Sequence, residues 1–134
     1  MYTIAFLLVL ASEALSHSTN PQLDFQHQSL QDCLLAHGVP TSLRNSSDWT
    51  QLTTAYNLRL QYTPAAVTIP TTSQHVTDSL TCAGVAGFKV QARSGGHSYG
   101  SYSLGGRHGS LVVDLQKFNQ IVLDKGTPRL RDYK

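Results

Sequence analysis

A short polar run with two glycines carries the residue types best suited to chemistry. It reads Arg93, Ser94, Gly95, Gly96, His97, Ser98 and Tyr99. Adjacent glycines permit positive φ angles and let the main chain approach a ligand closely. Successive backbone N–H groups in such a turn form an anion-binding concavity that suits a pyrophosphate. With His97 near the end of the run, the pattern predicts a dinucleotide cofactor within reach of a reactive imidazole.

The elements around this run are predicted to form a βαβ unit with further strands. Four short apolar or alternating segments predict strands: residues 65–69, 88–92, 111–115 and 121–123. Thr71 and Gln74 predict a capping box that opens the helix between the first two strands. Its buried face is predicted to hold three apolar residues: Val76, Leu80 and Ala83. The second strand should run parallel to the first, which places the polar run at its carboxyl end, where α/β folds bind ligands.

Two helices are predicted upstream of this unit. Ser29 is the predicted cap of the first helix, and Gly38 is predicted to end it. A shorter helix is predicted within residues 49–56, with Ser47 or Asp48 as its cap. His37 is expected to lie near the last carbonyls of the first helix rather than to act as a ligand, and Trp49 is expected to pack rather than to stack on a sugar.

Composition bounds the function classes. The chain has 134 residues with 40% hydrophobic and 13% charged content, so it is not compositionally disordered. A net charge of +2 without a basic stripe argues against a nucleic-acid partner. Residues 1–16 resemble a signal peptide, because the apolar core of residues 4–11 is too short to span a bilayer. A buried N-terminal helix is the alternative; otherwise the chain is expected to be secreted and extracellular, without a membrane segment.

If the chain is secreted, its two cysteines can form a disulfide and one asparagine can be glycosylated. Cys33 and Cys82 are an even number of cysteines in a chain bound for an oxidising compartment, where they could form a disulfide or remain two free buried thiols. Their spacing does not indicate a metal site, and the remaining histidines show no ligand spacing either. Asn45 opens an Asn-Ser-Ser acceptor sequence for N-glycosylation in polar surroundings.

Three residues in or near the polar run could each have more than one role: Arg93, His97 and Asp114. Arg93 is suited equally to balancing phosphate charge and to forming a structural ion pair. Asp114 follows a buried strand and is expected to be structural rather than catalytic. His97, taken alone, would be a loop histidine bonded to backbone, and the residues around it decide for a cofactor role.

The ordered series of motifs resembles one known family. The chain is similar to the FAD-binding (PCMH-type) domain of the vanillyl-alcohol oxidase, berberine-bridge-enzyme-like and glucooligosaccharide-oxidase-like flavoproteins. The resemblance runs from about Leu30 to about Asp124. The matching stretches are residues 91–99, 104–106 and 111–115, with 57–59, 64–67 and Pro70 upstream.

The resemblance implies a fold class, a cofactor and site residues. The fold would be α+β, the N-terminal part of a PCMH-type domain. Residues 93–99 would bind FAD, with His97 joined covalently to the flavin ring and Tyr99 near the substrate. Cys33 and Cys82 would pair, stabilising the fold by roughly 3–4 kcal/mol. A second flavin link, through a later cysteine in some members, has no counterpart after Cys82.

The resemblance also implies how the chain is divided and what it does. The expected segments are a signal peptide (1–16), a polar segment (17–28), a partial FAD-binding domain (29–124) and a divergent tail (125–134). In a full-length parent, these residues would serve a secreted oxidase that passes a hydride from an alcohol, such as a carbohydrate, to flavin, with dioxygen as final acceptor. The family's catalytic base is supplied later in sequence, so no catalytic residue is assigned. The alternative is an inactive, disulfide-bonded remnant or binding protein.

Overall fold

The computed structural model describes residues 21–123 and 130–132. The predicted signal peptide and most of the predicted tail lie outside the described residues. The α-helices are α1 (Pro21–Ala36), α2 (Trp49–Thr53) and α3 (Ser73–Val85), and a 3₁₀ helix spans Tyr102–Leu104. The strands are β1 (Thr41–Ser42), β2 (Ala66–Thr68), β3 (Val90–Arg93), β4 (Leu111–Asp114), β5 (Ile121–Leu123) and β6 (Leu130–Asp132).

The main sheet has four strands in the order β1-β2-β4-β3. β1 is antiparallel to β2, whereas β4 is parallel to both β2 and β3. The predicted parallel βαβ unit is therefore confirmed, but β4 is inserted between its two strands. β5 and β6 form a separate antiparallel pair, of which only β5 was predicted. The mixed sheet with its helices confirms the α+β class.

The core lies between one face of the sheet and the two long helices. Its buried members come from α1, α3, the residues that follow these helices, and β2 and β4: Leu30, Leu34, Val39, Ala66, Cys82, Ala83, Ala86, Leu111 and Val113. Val67 and Val112 point to the other face and are also fully buried. Because both faces of the central strands are buried, β2 and β4 are nearly continuous in apolar residues. None of the helices among the described residues is long and apolar enough to cross a bilayer.

Helix α3 begins one residue later than the capping box predicted. The cap is Thr72, whose hydroxyl oxygen accepts a hydrogen bond from the His75 N–H at 3.1 Å. Gln74 does not complete a box, because its side-chain amide donates to Asp78 at 2.9 Å. Leu80 was also assigned wrongly to the buried face, since it is 50% exposed.

The first two helices differ from prediction in length. α1 begins at Pro21 rather than at Ser29, and Ser29 bonds the Gln26 carbonyl from inside the helix. Among the described side chains of α1, Leu30 is the first apolar residue that is buried, and Phe25 before it is 72% exposed, so the apolar pattern did not indicate the earlier turns. α2 is confirmed but ends at Thr53, where the following backbone becomes extended.

The strand before the polar run is shifted by about two residues. The Phe88 N–H bonds the Ala83 carbonyl at 2.8 Å, so Phe88 belongs to the end of α3 rather than to a strand. Arg93 is the last residue of β3 and pairs with Asp114 of β4. The polar run therefore leaves the sheet at Ser94.

Candidate functional site

A cleft lies at the carboxyl ends of β3 and β4, where the sequence placed the ligand. Its volume is about 600 Å³, within the usual size range of ligand pockets. One wall is residues 93–97, a second is the end of α2 and the segment after it, within residues 51–58, and the floor includes Asp114 and Gln116. The Leu115 N–H bonds the Arg93 carbonyl at 2.8 Å, which fixes the starting point of the loop.

The loop backbone is arranged to receive an anion. Gly96 has φ +77°, while Gly95 keeps a negative φ, and such an alternation turns successive N–H groups toward one side. Within the described residues, the N–H groups of Gly95, Gly96 and His97 donate to no protein acceptor. Unpaired, solvent-accessible donors in a row are what a pyrophosphate requires, so the residues present fit a dinucleotide.

The two loop serines and a third serine differ in their contacts. Ser98 accepts a hydrogen bond from the Tyr102 N–H at 3.3 Å, so its hydroxyl helps to fold the loop. Ser103 donates to the Gly96 carbonyl at 3.2 Å and braces the turn from below. Ser94 is exposed and borders the cleft. Cofactor binding by Ser94 and Ser98 stays a prediction.

Arg93 forms the structural ion pair, one of the two roles left open for it. Its Nε donates to Asp114 Oδ2 at 2.8 Å, and Nη2 contacts the same oxygen. Nη1 donates to the Leu52 carbonyl, which ties α2 to the sheet. The two side chains are only 9% and 5% exposed, so the pair is nearly dry. Asp114 also accepts from the Gln116 N–H at 2.9 Å, so its carboxylate holds the backbone that follows β4 as well as Arg93.

His97 lies at the mouth of the cleft and is exposed. Its ring centroid is 5.4 Å from that of Tyr56, with the two planes 60° apart. Tyr56 in turn makes an edge contact with Tyr99 at 5.2 Å. The side-chain amide of Asn57 donates to the Tyr99 carbonyl at 2.9 Å.

Sequence reasoning missed several residues of this wall. Leu52 and Tyr56 reach the site from a segment far from the loop in sequence, and no local pattern marks them. Asn57 was noted only as part of the family resemblance. Its contact with the Tyr99 backbone shows that this stretch and the loop are neighbours.

The predicted disulfide between Cys33 and Cys82 is confirmed. It joins α1 to α3 with a Cα–Cα distance of 5.6 Å, away from the cleft. His37 lies beside it, with Nδ1 3.6 Å from an Asp78 carboxylate oxygen. Asn45, the predicted glycosylation residue, is exposed in the turn before α2.

Known proteins resemble this chain in both sequence and structure. A family described as an FAD binding domain matches residues 64–130, half of the chain and slightly beyond the expected limit at Asp124. A xylooligosaccharide oxidase from Thermothelomyces thermophilus is 38% identical over 121 residues, covering 90% of this chain and 24% of that protein. The chain thus spans about a quarter of the length of this relative.

Two solved structures share the fold. The xylooligosaccharide oxidase from Myceliophthora thermophila, in complex with xylobiose, superposes with a TM-score of 0.72 at 41% identity, covering 75% of this chain and 21% of that one. The glucooligosaccharide oxidase from Acremonium strictum, described with a 6-S-cysteinyl, 8α-N1-histidyl FAD, gives a TM-score of 0.70 at 37% identity, covering 72% and 20%. With the anion-binding loop and the matched family, these likenesses lead to one assignment: the chain belongs to the family of PCMH-type FAD-binding domains, whose cofactor is FAD.

Proposed function

We propose that this chain supplies the pyrophosphate-binding loop and the flavin-linking histidine of a secreted oxidase that acts on an oligosaccharide or related alcohol. The observation that carries the proposal is the row of unpaired N–H groups at residues 95–97, held beside His97 in a cleft at the carboxyl end of the sheet. The names of the relatives, which are oxidases of xylo- and glucooligosaccharides, support the substrate class.

The chain's own residues have distinct tasks in this proposal. The loop amides bind the pyrophosphate charge, because backbone donors in a concave turn need no reorganisation to do so. The Arg93–Asp114 pair and the Arg93–Leu52 contact keep the loop and the α2 segment at a fixed separation. His97 holds the flavin covalently. When bound, FAD supplies the two-electron acceptor for alcohol oxidation.

Secretion, the disulfide and glycosylation belong to the same proposal. The signal peptide is expected to direct the chain into an oxidising compartment, where the observed Cys33–Cys82 disulfide is stable. The exposed position of Asn45 leaves its amide accessible to a glycosyltransferase. Neither the disulfide nor Asn45 lines the cleft, so both serve stability and export rather than catalysis.

The experiment that tests the proposal is the intact mass of the secreted protein after denaturation. A mass increment equal to FAD that survives denaturation, and that maps to the peptide containing His97, is expected. A protein that carries no flavin, before or after denaturation, would overturn the proposal. Substrate class is then tested by oxygen consumption with a panel of oligosaccharides and simple alcohols.

A matched pair of glycine variants tests the loop directly. Gly96→Ala forces an alanine into φ +77°, which costs about 1–2 kcal/mol and should weaken FAD binding about 5- to 30-fold. Gly84→Ala is the control, because a Cβ there meets no atom within 4 Å and the residue lies in α3. Equal FAD affinity in both variants, measured by flavin fluorescence titration, would argue against the loop as the binding element.

A further inference from the structure

The imidazole of His97 is confined on two sides although the residue is exposed. On one side lies the backbone of Gly95: a Cβ added there would be 3.1 Å from His97 Cε1 and 3.2 Å from Nδ1. On the other side lies the ring of Tyr56, with its centroid 5.4 Å away. An exposed histidine ordinarily changes rotamer within nanoseconds, so this two-sided confinement needs a cause.

Tyr56 contacts a second residue of the same loop, Tyr99. Its ring meets the Tyr99 ring edge-on at 5.2 Å, with planes 84° apart. Asn57, the next residue, donates its side-chain amide to the Tyr99 carbonyl, and its own oxygen accepts from the Arg59 N–H at 3.1 Å. The segment after α2 and the loop after β3 are thus joined at Tyr99, two residues beyond His97.

Core packing does not account for the position of Tyr56. Its side chain is 54% exposed, and its ring contacts in the described part of the chain are with His97 and Tyr99. A tyrosine that served only to fill the core would be buried among aliphatic side chains. The Tyr56 ring instead lies against the His97 imidazole, in a position to limit its motion.

We propose that Tyr56 is a positioning residue for His97, one that holds the imidazole against Gly95 in a single orientation above the anion-binding loop. This inference rests on the proposed function, because a fixed imidazole matters most if His97 must meet a cofactor. Fixing a side chain before binding removes part of the ordering cost at the moment of binding. The absence of a side chain at Gly95 allows this close approach, since a Cβ there would lie 3.1 Å from His97 Cε1 and would require the ring to shift.

The direct test is histidine NMR on the full chain with its disulfide intact, at constant pH. Tyr56→Leu should move the His97 ring signals toward those of a free histidine, with the confined orientation reduced about 2- to 12-fold, as expected for loss of one aromatic contact. Tyr56→Phe should leave them close to wild type, because the ring and not the hydroxyl makes the contact. Unchanged His97 signals in Tyr56→Leu would overturn the proposal, and so would equal shifts in the leucine and phenylalanine variants.

The chain provides a matched control. Tyr62 contacts His108 with centroids 5.7 Å apart and planes 70° apart, close to the 5.4 Å and 60° of the Tyr56–His97 contact. Tyr62→Leu should therefore move the signals of His108 and leave those of His97 unchanged. A similar effect of both leucine variants on His97 would show a general loosening and would contradict the proposal.

If Tyr56→Leu fails to fold, Gly95→Ala provides a second test of the same proposal. It introduces a methyl group about 3 Å from the ring from the opposite side and should also shift the His97 signals. Unchanged signals in this variant would overturn the confinement on which the proposal rests.

A second readout separates this inference from the proposed function. It is the fraction of flavin that stays with the secreted protein after denaturation, which should fall several-fold in Tyr56→Leu and be kept in Tyr56→Phe and Tyr62→Leu. If wild type carries no flavin while Tyr56→Leu still frees the imidazole, the proposed function fails and the positioning role stands. If wild type and Tyr56→Leu retain flavin equally, the positioning role fails and the proposed function stands.

Discussion

Removing the charge of Asp114 should destabilise the chain strongly, because its partner is buried. In Asp114→Leu the Arg93 guanidinium, whose side chain is 9% exposed, keeps its charge but loses the carboxylate. Breaking a buried pair in this way typically costs about 3–5 kcal/mol. Arg93→Met should cost a similar amount, since it leaves a 5% exposed carboxylate without its cation and the Leu52 carbonyl without its donor.

The double variant Arg93→Met/Asp114→Leu distinguishes a coupled pair from two independent residues. Removing both charges eliminates the desolvation penalty, so what is lost is the hydrogen bonding of two backbone groups, the Leu52 carbonyl and the Gln116 N–H. At about 1 kcal/mol each, the double variant should lose about 2 kcal/mol. The two single variants together would lose about 6–10 kcal/mol, so the expected coupling is several kcal/mol.

Urea unfolding followed by tryptophan fluorescence is a suitable assay. Trp49 is the only tryptophan of the chain and lies in α2, the helix that Arg93 ties to the sheet. A single variant will approach the total stability of a small domain, about 5–15 kcal/mol, so the double variant is the safer measurement. A loss below 1 kcal/mol in Asp114→Leu, or a double variant equal to the sum of the singles, would refute the buried-pair reasoning. In that case Arg93 would be free to bind phosphate.

Three further predictions concern the scaffold. Replacing Cys33 and Cys82 by serine should lower the free energy of unfolding by about 4 kcal/mol, the chain-entropy value for a separation of 49 residues. The control is reduced wild type, which should have the same unfolding free energy as the variant, and a loss below 1 kcal/mol would contradict the prediction. Thr72→Ala should lower the free energy of unfolding by about 1 kcal/mol, measured by thermal unfolding, and Thr71→Ala should lower it distinctly less. The reverse order would show that Thr71 is the cap. Asn45→Gln should reduce the mass of the secreted protein by one glycan, as enzymatic deglycosylation does, whereas an unchanged mass would show the site to be unused.

The local elements near the site followed closely from sequence. β2, β3 and β4 were expected within about two residues of their observed bounds, because alternation and apolar runs depend on local geometry. The loop was identified from its adjacent glycines, and Gly96 does adopt a positive φ. Several of the errors lie at helix starts. Thr71 and Thr72 are both residue types that can cap a helix, and only the folded backbone decides between them.

The sequence by itself determined the position of the glycine-containing loop after β3, the flavin-family likeness and the availability of two cysteines, since each is a matter of residue type and order. Only the tertiary structure decided what Arg93 binds and what lies against His97. Inserting β4 between β2 and β3 brings Asp114 beside Arg93. Helix α2 and the segment after it likewise reach the loop through contacts from Leu52, Tyr56 and Asn57. Such contacts join residues remote in sequence, and strand order and burial, rather than local propensity, determine them.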